Sequence, residues 1–279
     1  MRFKKIYIEI TNTCNLSCSF CVQNQRPPRR MSVDELRHIL KQIKPFTNYV
    51  YLHVLGEPLS HPDLETILDL CEEYGMNVNM TSNGTLFKQK EDVLLRGKIR
   101  QLNVSLHSFP QHYQQAYLEH VISICDKLAE KHTYISYRLW SMRQGELDHE
   151  TMQIVDYLKQ AYHCDIPVIE KGAIRLKEHT YLHFEEVFAW PDLSSFHVST
   201  KGSCLGMKQM CAILSDGTIT PCCLDSKGDI ALGNIFEESF SSIIEKERAQ
   251  AIKTGFQNKV VVEELCQKCS YRTRFDEKR

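Results

Sequence analysis

The chain has 279 residues, 42% of them hydrophobic and 25% charged, enough to bury one large core and a smaller second one. Lys and Arg total 34 against 35 for Asp and Glu, a formal net charge of -1 that creates no long-range field for a polyanion and gives nucleic-acid binding no support. No stretch approaches the roughly 18 apolar residues of a membrane span, and the basic residues 1–5 carry no cleavage signal, so secretion and membrane insertion are set aside and a cytoplasmic location is expected. Twelve cysteines in such a chain are more economically metal ligands and buried thiols than bridges.

Residues 5–10 read as a first strand, and a loop bearing Cys14, Cys18 and Cys21 follows it. Ser32 with Glu35 three residues on forms a capping box, behind which Leu36, Ile39, Leu40 and Ile43 recur at helical spacing. Residues 50–55 give a second strand; Leu64, Ile67, Leu68 and Cys71 mark a helix that stops near Gly75, and residues 76–80 a third strand. A weak helix over 89–95 leads to a fourth strand at 102–106, a helix over 112–131, a fifth strand at 134–139 and a helix over 150–162. A sixth strand falls within 166–176. Strands separated by helices demand parallel pairing with right-handed crossovers, so six units predict an α/β fold: an incomplete parallel (βα)6 barrel.

In such barrels the reactive face is built from the C-terminal strand ends and the loops after them. The unusual clusters fall there: Gly56-Glu57-Pro58 after the second strand, Ser82-Asn83-Gly84 after the third, Ser105 and His107 at the fourth. On the fifth, Ser136, Arg138 and Trp140 alternate with Ile135, Tyr137 and Leu139, giving one polar and one apolar face. An inward Arg138 calls for an anionic partner.

Three thiolates on one short loop can hold three corners of a 4Fe-4S cube and leave the fourth iron without a protein ligand. A structural zinc site or a disulfide with a spare thiol are the alternatives, and three ligands fill only three of zinc's four positions. The run Cys14-Asn-Leu-Ser-Cys18-Ser-Phe20-Cys21 resembles the signature of the radical S-adenosylmethionine (SAM) enzymes. The resemblance implies that the open iron chelates SAM, whose reductive cleavage gives a 5'-deoxyadenosyl radical for hydrogen abstraction. It also implies cofactor-binding roles. Gly56 and Glu57 would meet the SAM ammonium group, although Leu55 stands where the family most often has another Gly. Ser82 and Asn83 would meet the ribose or the methionine end, and Phe20 the adenine. Ser105, His107 and Arg138 would meet SAM or substrate, with Arg138 facing the SAM carboxylate. His107 and His53 each read first as a satisfied polar residue lining the barrel and second as a catalytic acid or base. Residues 25–30, with Arg26, Arg29, Arg30 and two prolines, read as a solvated loop or a docking patch for an acidic electron donor.

Composition shifts near Trp190-Pro191, dividing the chain into a partial barrel over 1–190 and a small cysteine-rich C-terminal α+β domain over 191–279. A hairpin over 213–220 turns at Asp216-Gly217, Cys222 and Cys223 follow it, Cys204 precedes it, and Cys266 and Cys269 close the segment after a helix with Ile243 and Ile244. Four such thiolates suit zinc or an iron-sulfur cluster equally. This segment resembles the SPASM or twitch extensions of radical SAM enzymes. The resemblance implies one auxiliary 4Fe-4S cluster on Cys204, Cys222, Cys266 and Cys269, with zinc as the alternative and Cys223 able to replace Cys222. Cys71, Cys125 and Cys211 read as core thiols.

The expected function is therefore a radical SAM enzyme served by a flavodoxin-like or ferredoxin-like donor and acting on a peptide or protein side chain. The first strand begins almost at Met1, so a leader-binding function would come from a partner. A small metabolite or an RNA nucleotide is the second substrate reading, and the near-zero charge argues mildly against RNA. A non-catalytic iron-sulfur carrier or a zinc-stabilised binding protein is the reading from another class.

Overall fold

The computed structural model describes residues 2–108, 115–166 and 170–276. Chain contacts divide it into two compact units: one formed by the chain up to Gly56, Leu70–Asn77 and the chain from Phe188 onward, the other by Glu57–Asp69 and Val78–Val187. The family of mixed, mostly parallel strands interleaved with helices makes the fold α/β.

In the first unit, β1 (Lys5–Ile8) lies between two parallel neighbours, β2 (Tyr49–Tyr51) and β8 (Met210–Ile213). Its Ile6 and Ile8 are fully buried, as a strand covered on both faces requires. β9 (Thr218–Thr220) pairs antiparallel with β8 through the Asp216-Gly217 turn, and β10 (Gly233–Asn234) extends the edge. The C-terminal hairpin thus continues the sheet of the N-terminal strand, an adjacency that no local pattern announces. The second strand is shorter than the apolar run over 50–55, because the His53 amide folds back onto Tyr51 O at 2.8 Å and the Leu55 amide is taken by a side chain.

Helix α1 (Val33–Ile43) has the expected capping box, with Ser32 accepting from the Glu35 amide and Glu35 from the Ser32 amide. Its Leu36, Ile39, Leu40 and Ile43 are buried, and Gln42 on the same helix accepts from the amide of Phe240, the first residue of α6 (Phe240–Glu245). Helix α2 (Leu64–Glu73) and the two C-terminal helices α7 (Glu247–Gln257) and α8 (Glu264–Gln267) complete the elements that bear on these segments.

In the second unit, β3 (Asn77–Ser82), β4 (Ile99–Ser105), β5 (Tyr134–Met142) and β7 (Thr180–Glu186) run parallel in that order, and β6 (Gly172–Lys177) pairs antiparallel with β7 at the edge. This corrects the sixth strand. A strand does lie within 166–176, but the one parallel to β5 is β7, where Thr180, Leu182 and Phe184 alternate inward behind a hairpin turned by His179 at φ 58°. Helices α3 (Glu91–Arg96), α4 (Gln115–Glu130) and α5 (His149–Tyr162) connect these strands. The expected start of α4 at 112–114 lies outside the described residues. Leu118, Val121, Ile124, Cys125 and Leu128 form its buried face. Burial pushes the Cys71 and Cys125 thiols up to about 12, as befits core packing. No helix among the described residues is long and apolar enough to cross a membrane.

Replacing Ser32 by Ala removes the acceptor for the Glu35 amide and is expected to lower stability by about 1 kcal/mol. Chemical denaturation checks this, and an unchanged midpoint would show that the box contributes nothing.

Candidate active site

The loop after β1 is anchored at its base and open at its tip. Cys14 is exposed and Cys18 and Cys21 are half-buried. The Cys21 amide reaches Cys18 O at 3.1 Å, and the Gln23 side-chain amide donates to the same carbonyl at 2.9 Å. Asn12 closes the base: its amide donates to Arg29 O, its Oδ1 accepts from the Arg29 amide at 2.7 Å, and its Nδ2 donates to Pro27 O. Thr11 and Arg30 form an antiparallel bridge beside it.

Two arginines expected to be solvated are instead built into this base. Arg26 Nη2 sits between both oxygens of Glu9, at 2.5 and 2.6 Å, and Glu9 is fully buried. Arg29 reaches the Glu35 carboxylate at 2.6 Å and the Ser215 carbonyl, and its hydrogen bond holds Glu35 below the usual carboxylate range. The docking-patch reading of residues 25–30 is corrected accordingly, since of the three arginines it leaves only Arg30 exposed. Glu9 was missed in the sequence; its signal is a lone carboxylate inside the apolar run Ile6-Tyr7-Ile8-Glu9-Ile10. Gly56 belongs to the same layer. Its φ of +74° and a Cβ position 2.4 Å from Thr11 O exclude any side chain there. Phe20 is 38% exposed on the loop.

The second unit gathers the remaining predicted residues. Glu57 is buried, with Oε1 accepting from the Leu59 amide at 3.0 Å and Oε2 from the Asn83 amide at 2.8 Å. Burial raises its carboxyl, and the groups that pull it back are neutral donors on Asn83, Leu59 and Ser82. Such a carboxylate gains most from a cationic ligand group. Ser82 accepts from the Gly84 amide at 3.0 Å, and Asn83 Oδ1 accepts from the Thr85 hydroxyl at 2.6 Å, while Tyr117 donates to Asn83 O at 2.7 Å. The turn is therefore rigid, with its polar groups fixed by local bonds.

Strand register brings the rest into rows on one face. Ser105, Arg138 and His183 are in-register neighbours on β4, β5 and β7, and Thr81, Asn103, Ser136 and Tyr181 form the adjacent row. Asn103 Nδ2 donates to Thr81 Oγ1 at 3.2 Å, Arg138 Nη1 to the same hydroxyl at 3.4 Å, and the Arg138 guanidinium lies 4.6 Å from the Trp140 ring centroid. His107 Nδ1 donates to Arg138 O at 3.0 Å. Burial, with the Arg138 charge adding to it, pushes His107 down to about 4, so its imidazole is neutral near pH 7. The same two causes lower His183. His183 escaped the sequence reading because β7 itself did.

In the first unit, burial raises the thiols of Cys204, Cys222, Cys266 and Cys269, and they also act on one another: Cys223, Cys204 and Cys266 raise Cys222, and Cys204 and Cys269 raise Cys266. Cys222 and Cys223 both pack against Tyr7, Val54 and Leu214 and both feel Cys204; Cys222 also feels Cys266, while Cys223 feels Lys5 and the Tyr7 hydroxyl. Among the described residues no three donor side chains converge on a single-ion site. Burial raises the Cys204 and Cys269 thiols, and Arg272, buried at 1% exposure, pulls them partly back and donates to Cys266 O, while Gly202 at φ +133° leaves room for its guanidinium. This charge beside the thiols was also missed; buried arginine has no local sequence signal.

Comparison with known proteins gives two family matches: the model described as Radical SAM superfamily covers residues 8–160, and one described as Iron-sulfur cluster-binding domain covers 204–270. The probable GTP 3',8-cyclase of Aeropyrum pernix is 31% identical over 118 residues, 39% of this chain and 33% of that protein. The chain thus matches about a third of the length of such curated relatives. Among solved structures, BtrN in complex with AdoMet and 2-DOIA has a TM-score of 0.62 at 19% identity, covering 97% of this chain and 94% of that one. The enzyme anSMEcpe with bound AdoMet and the Cp18Cys peptide has a TM-score of 0.62 at 14% identity, covering 98% and 87%. Both likenesses are of fold.

The depressed His107 has a consequence for stability. Between pH 6.5 and about 4 the unfolded chain takes a proton there and the folded chain does not. Stability is therefore full above pH 6.5 and is lost as pH falls toward 4, by roughly 3 kcal/mol. Denaturation as a function of pH is expected to show a flatter acid limb for His107→Gln; an identical slope would contradict this.

Proposed function

This chain belongs to the radical SAM superfamily, and from that membership we propose that it abstracts a hydrogen atom from a peptide or protein side chain. It is an enzyme whose barrel-type domain binds a 4Fe-4S cluster and SAM and whose C-terminal segment binds iron-sulfur. SAM bound at the reduced cluster supplies a 5'-deoxyadenosyl radical. The observation that carries the reading is three thiols on one loop whose base is locked by Asn12 and Glu9 while its tip stays accessible.

Within this reading Cys14, Cys18 and Cys21 hold three irons. Gly56 lets the backbone pass close to the loop, and the buried Glu57 receives an ammonium group. Ser82, Asn83 and Phe20 meet the nucleoside and methionine ends. Ser105, His107 and Arg138 orient a carboxylate or the substrate, with the neutral His107 as a hydrogen-bond partner rather than a charge. Cys204, Cys222, Cys266 and Cys269 hold one auxiliary 4Fe-4S cluster. A division into 1–190 and 191–279 accords with matched ranges that fall on either side of it. Electrons come from a flavodoxin-like or ferredoxin-like donor, in a cytoplasmic setting.

The iron-sulfur extension and the peptide-bound anSMEcpe structure support a polypeptide substrate. A second reading, a small metabolite or nucleotide, draws support from the cyclase relatives and from BtrN with 2-DOIA, which matches over nearly its whole length.

Anaerobically reconstituted protein is expected to hold about eight irons, as two cubes require, and to form 5'-deoxyadenosine from SAM and reductant. Alanine at Cys14, Cys18 or Cys21 should abolish that product. Wild-type rates in any of the three would overturn the reading. Assays with peptide pools against metabolite pools separate the two substrate classes by which pool consumes SAM in proportion to modified product.

A further inference from the structure

We infer that Glu9 is a positioning residue that couples the C-terminal hairpin to the cysteine loop. The inference deepens the reading above and rests on its assignment of Cys14, Cys18 and Cys21.

One fully buried carboxylate serves three separated pieces of chain. Arg26 Nη2 straddles it, the Leu55 amide donates to Oε1 at 3.2 Å, and the Ser215 amide donates to Oε2 at 3.0 Å. Its sequence neighbours Ile8 and Ile10 are fully buried, so no water replaces a lost donor cheaply. Arg26 follows Cys21 in the same loop, and its Nε donates to Ser226 O at 2.9 Å. Arg29, at the loop base, donates to the Ser215 carbonyl. Both backbone polar groups of Ser215 are therefore held by side chains from the cysteine loop and its strand. Leu55 immediately precedes Gly56, whose backbone nearly touches Thr11 O and Thr13 O.

A plain structural ion pair would need only Arg26. Here the cysteine loop, the turn before Glu57 and the hairpin ahead of Cys222 and Cys223 share two oxygens, so a shift in one changes the geometry available to the others. Removing the charge leaves Arg26 unpaired and replaces one acceptor oxygen by an N–H group that opposes a backbone donor. The consequence is local: the loop loosens where its ends meet the hairpin, while β1 and α1 keep their packing.

Amide hydrogen exchange of the full chain, cluster-free and reduced, reads this without any turnover. Glu9→Gln is expected to speed exchange at Leu55, at Ser215 and through residues 13–25 together, by about tenfold or more. Arg26→Lys, which keeps the charge but cannot straddle the carboxylate and reach Ser226 at once, should speed the same amides less. Arg37→Ala, which removes the exposed pair with Glu73, should leave them unchanged. In the reconstituted protein, the SAM-dependent electron paramagnetic resonance signal of Glu9→Gln should broaden, and iron should pass to a chelator faster. Exchange within twofold of wild type at all three places would overturn the inference, as would faster exchange confined to residues 13–25 with Ser215 unaffected. If Glu9→Gln does not fold, Arg26→Lys carries the comparison. Loosening in the cluster-free chain with no SAM-dependent signal in the loaded wild type would count against the radical reading and leave the coupling standing.

Discussion

A carboxylate with no solvent exposure, Glu9, fixes the segment on which the chemistry depends. Taking a charge out of water costs several kcal/mol, and breaking one side of such a pair typically costs about 3–5 kcal/mol because the other charge is left stranded. Glu9 is retained inside an apolar strand end only because a guanidinium and two backbone amides converge on it. That convergence links features that otherwise look independent: the early end of β2, the internal use of Arg26 and the anchoring of the chain after β8 at Ser215. Gly56 fits the same logic, since the backbone there comes too close to Thr11 and Thr13 for a side chain.

The second unit solves a different problem. Its parallel strands carry a face of amides, hydroxyls and imidazoles in register, where Asn103 donates to Thr81 and the Arg138 guanidinium rests on an aromatic face. Glu57 is buried among donors that are all neutral, and His107 and His183 are held uncharged. A face of this kind offers hydrogen bonds without a strong field of its own, which suits a zwitterionic ligand with ammonium and carboxylate ends. The thiols of the C-terminal segment sit differently again, under burial that disfavours thiolate and beside a buried Arg272 that favours it. A bound iron-sulfur cluster would resolve the contest, because its ligands must be thiolates.

What was legible in the sequence was local. The cysteine spacing, the Ser32 and Glu35 box, the Asp216-Gly217 turn and the alternation on β5 each reside within a few residues, so the chain states them directly. What was not legible depends on contacts far apart in sequence. Glu9 meets donors 17, 46 and 206 positions away, and no periodicity links them. The exchange of β6 for β7 as the parallel partner of β5 turns on a hairpin at His179 that lacks Gly, Pro or Asn. Arg26 and Arg29 looked like solvent-facing charge because their partners belong to other elements, and His183 was hidden with its strand.

On the proposed reading, the cysteine loop leaves one iron for SAM. Pulsed electron-nuclear double resonance on the reduced holoprotein, with SAM labelled with nitrogen-15 in its amino group and oxygen-17 in its carboxylate, tests this most directly. The account predicts hyperfine coupling of both labels to the cluster, lost when Cys18 is replaced. Labels that show no coupling in a protein with its N-terminal cluster intact would contradict it.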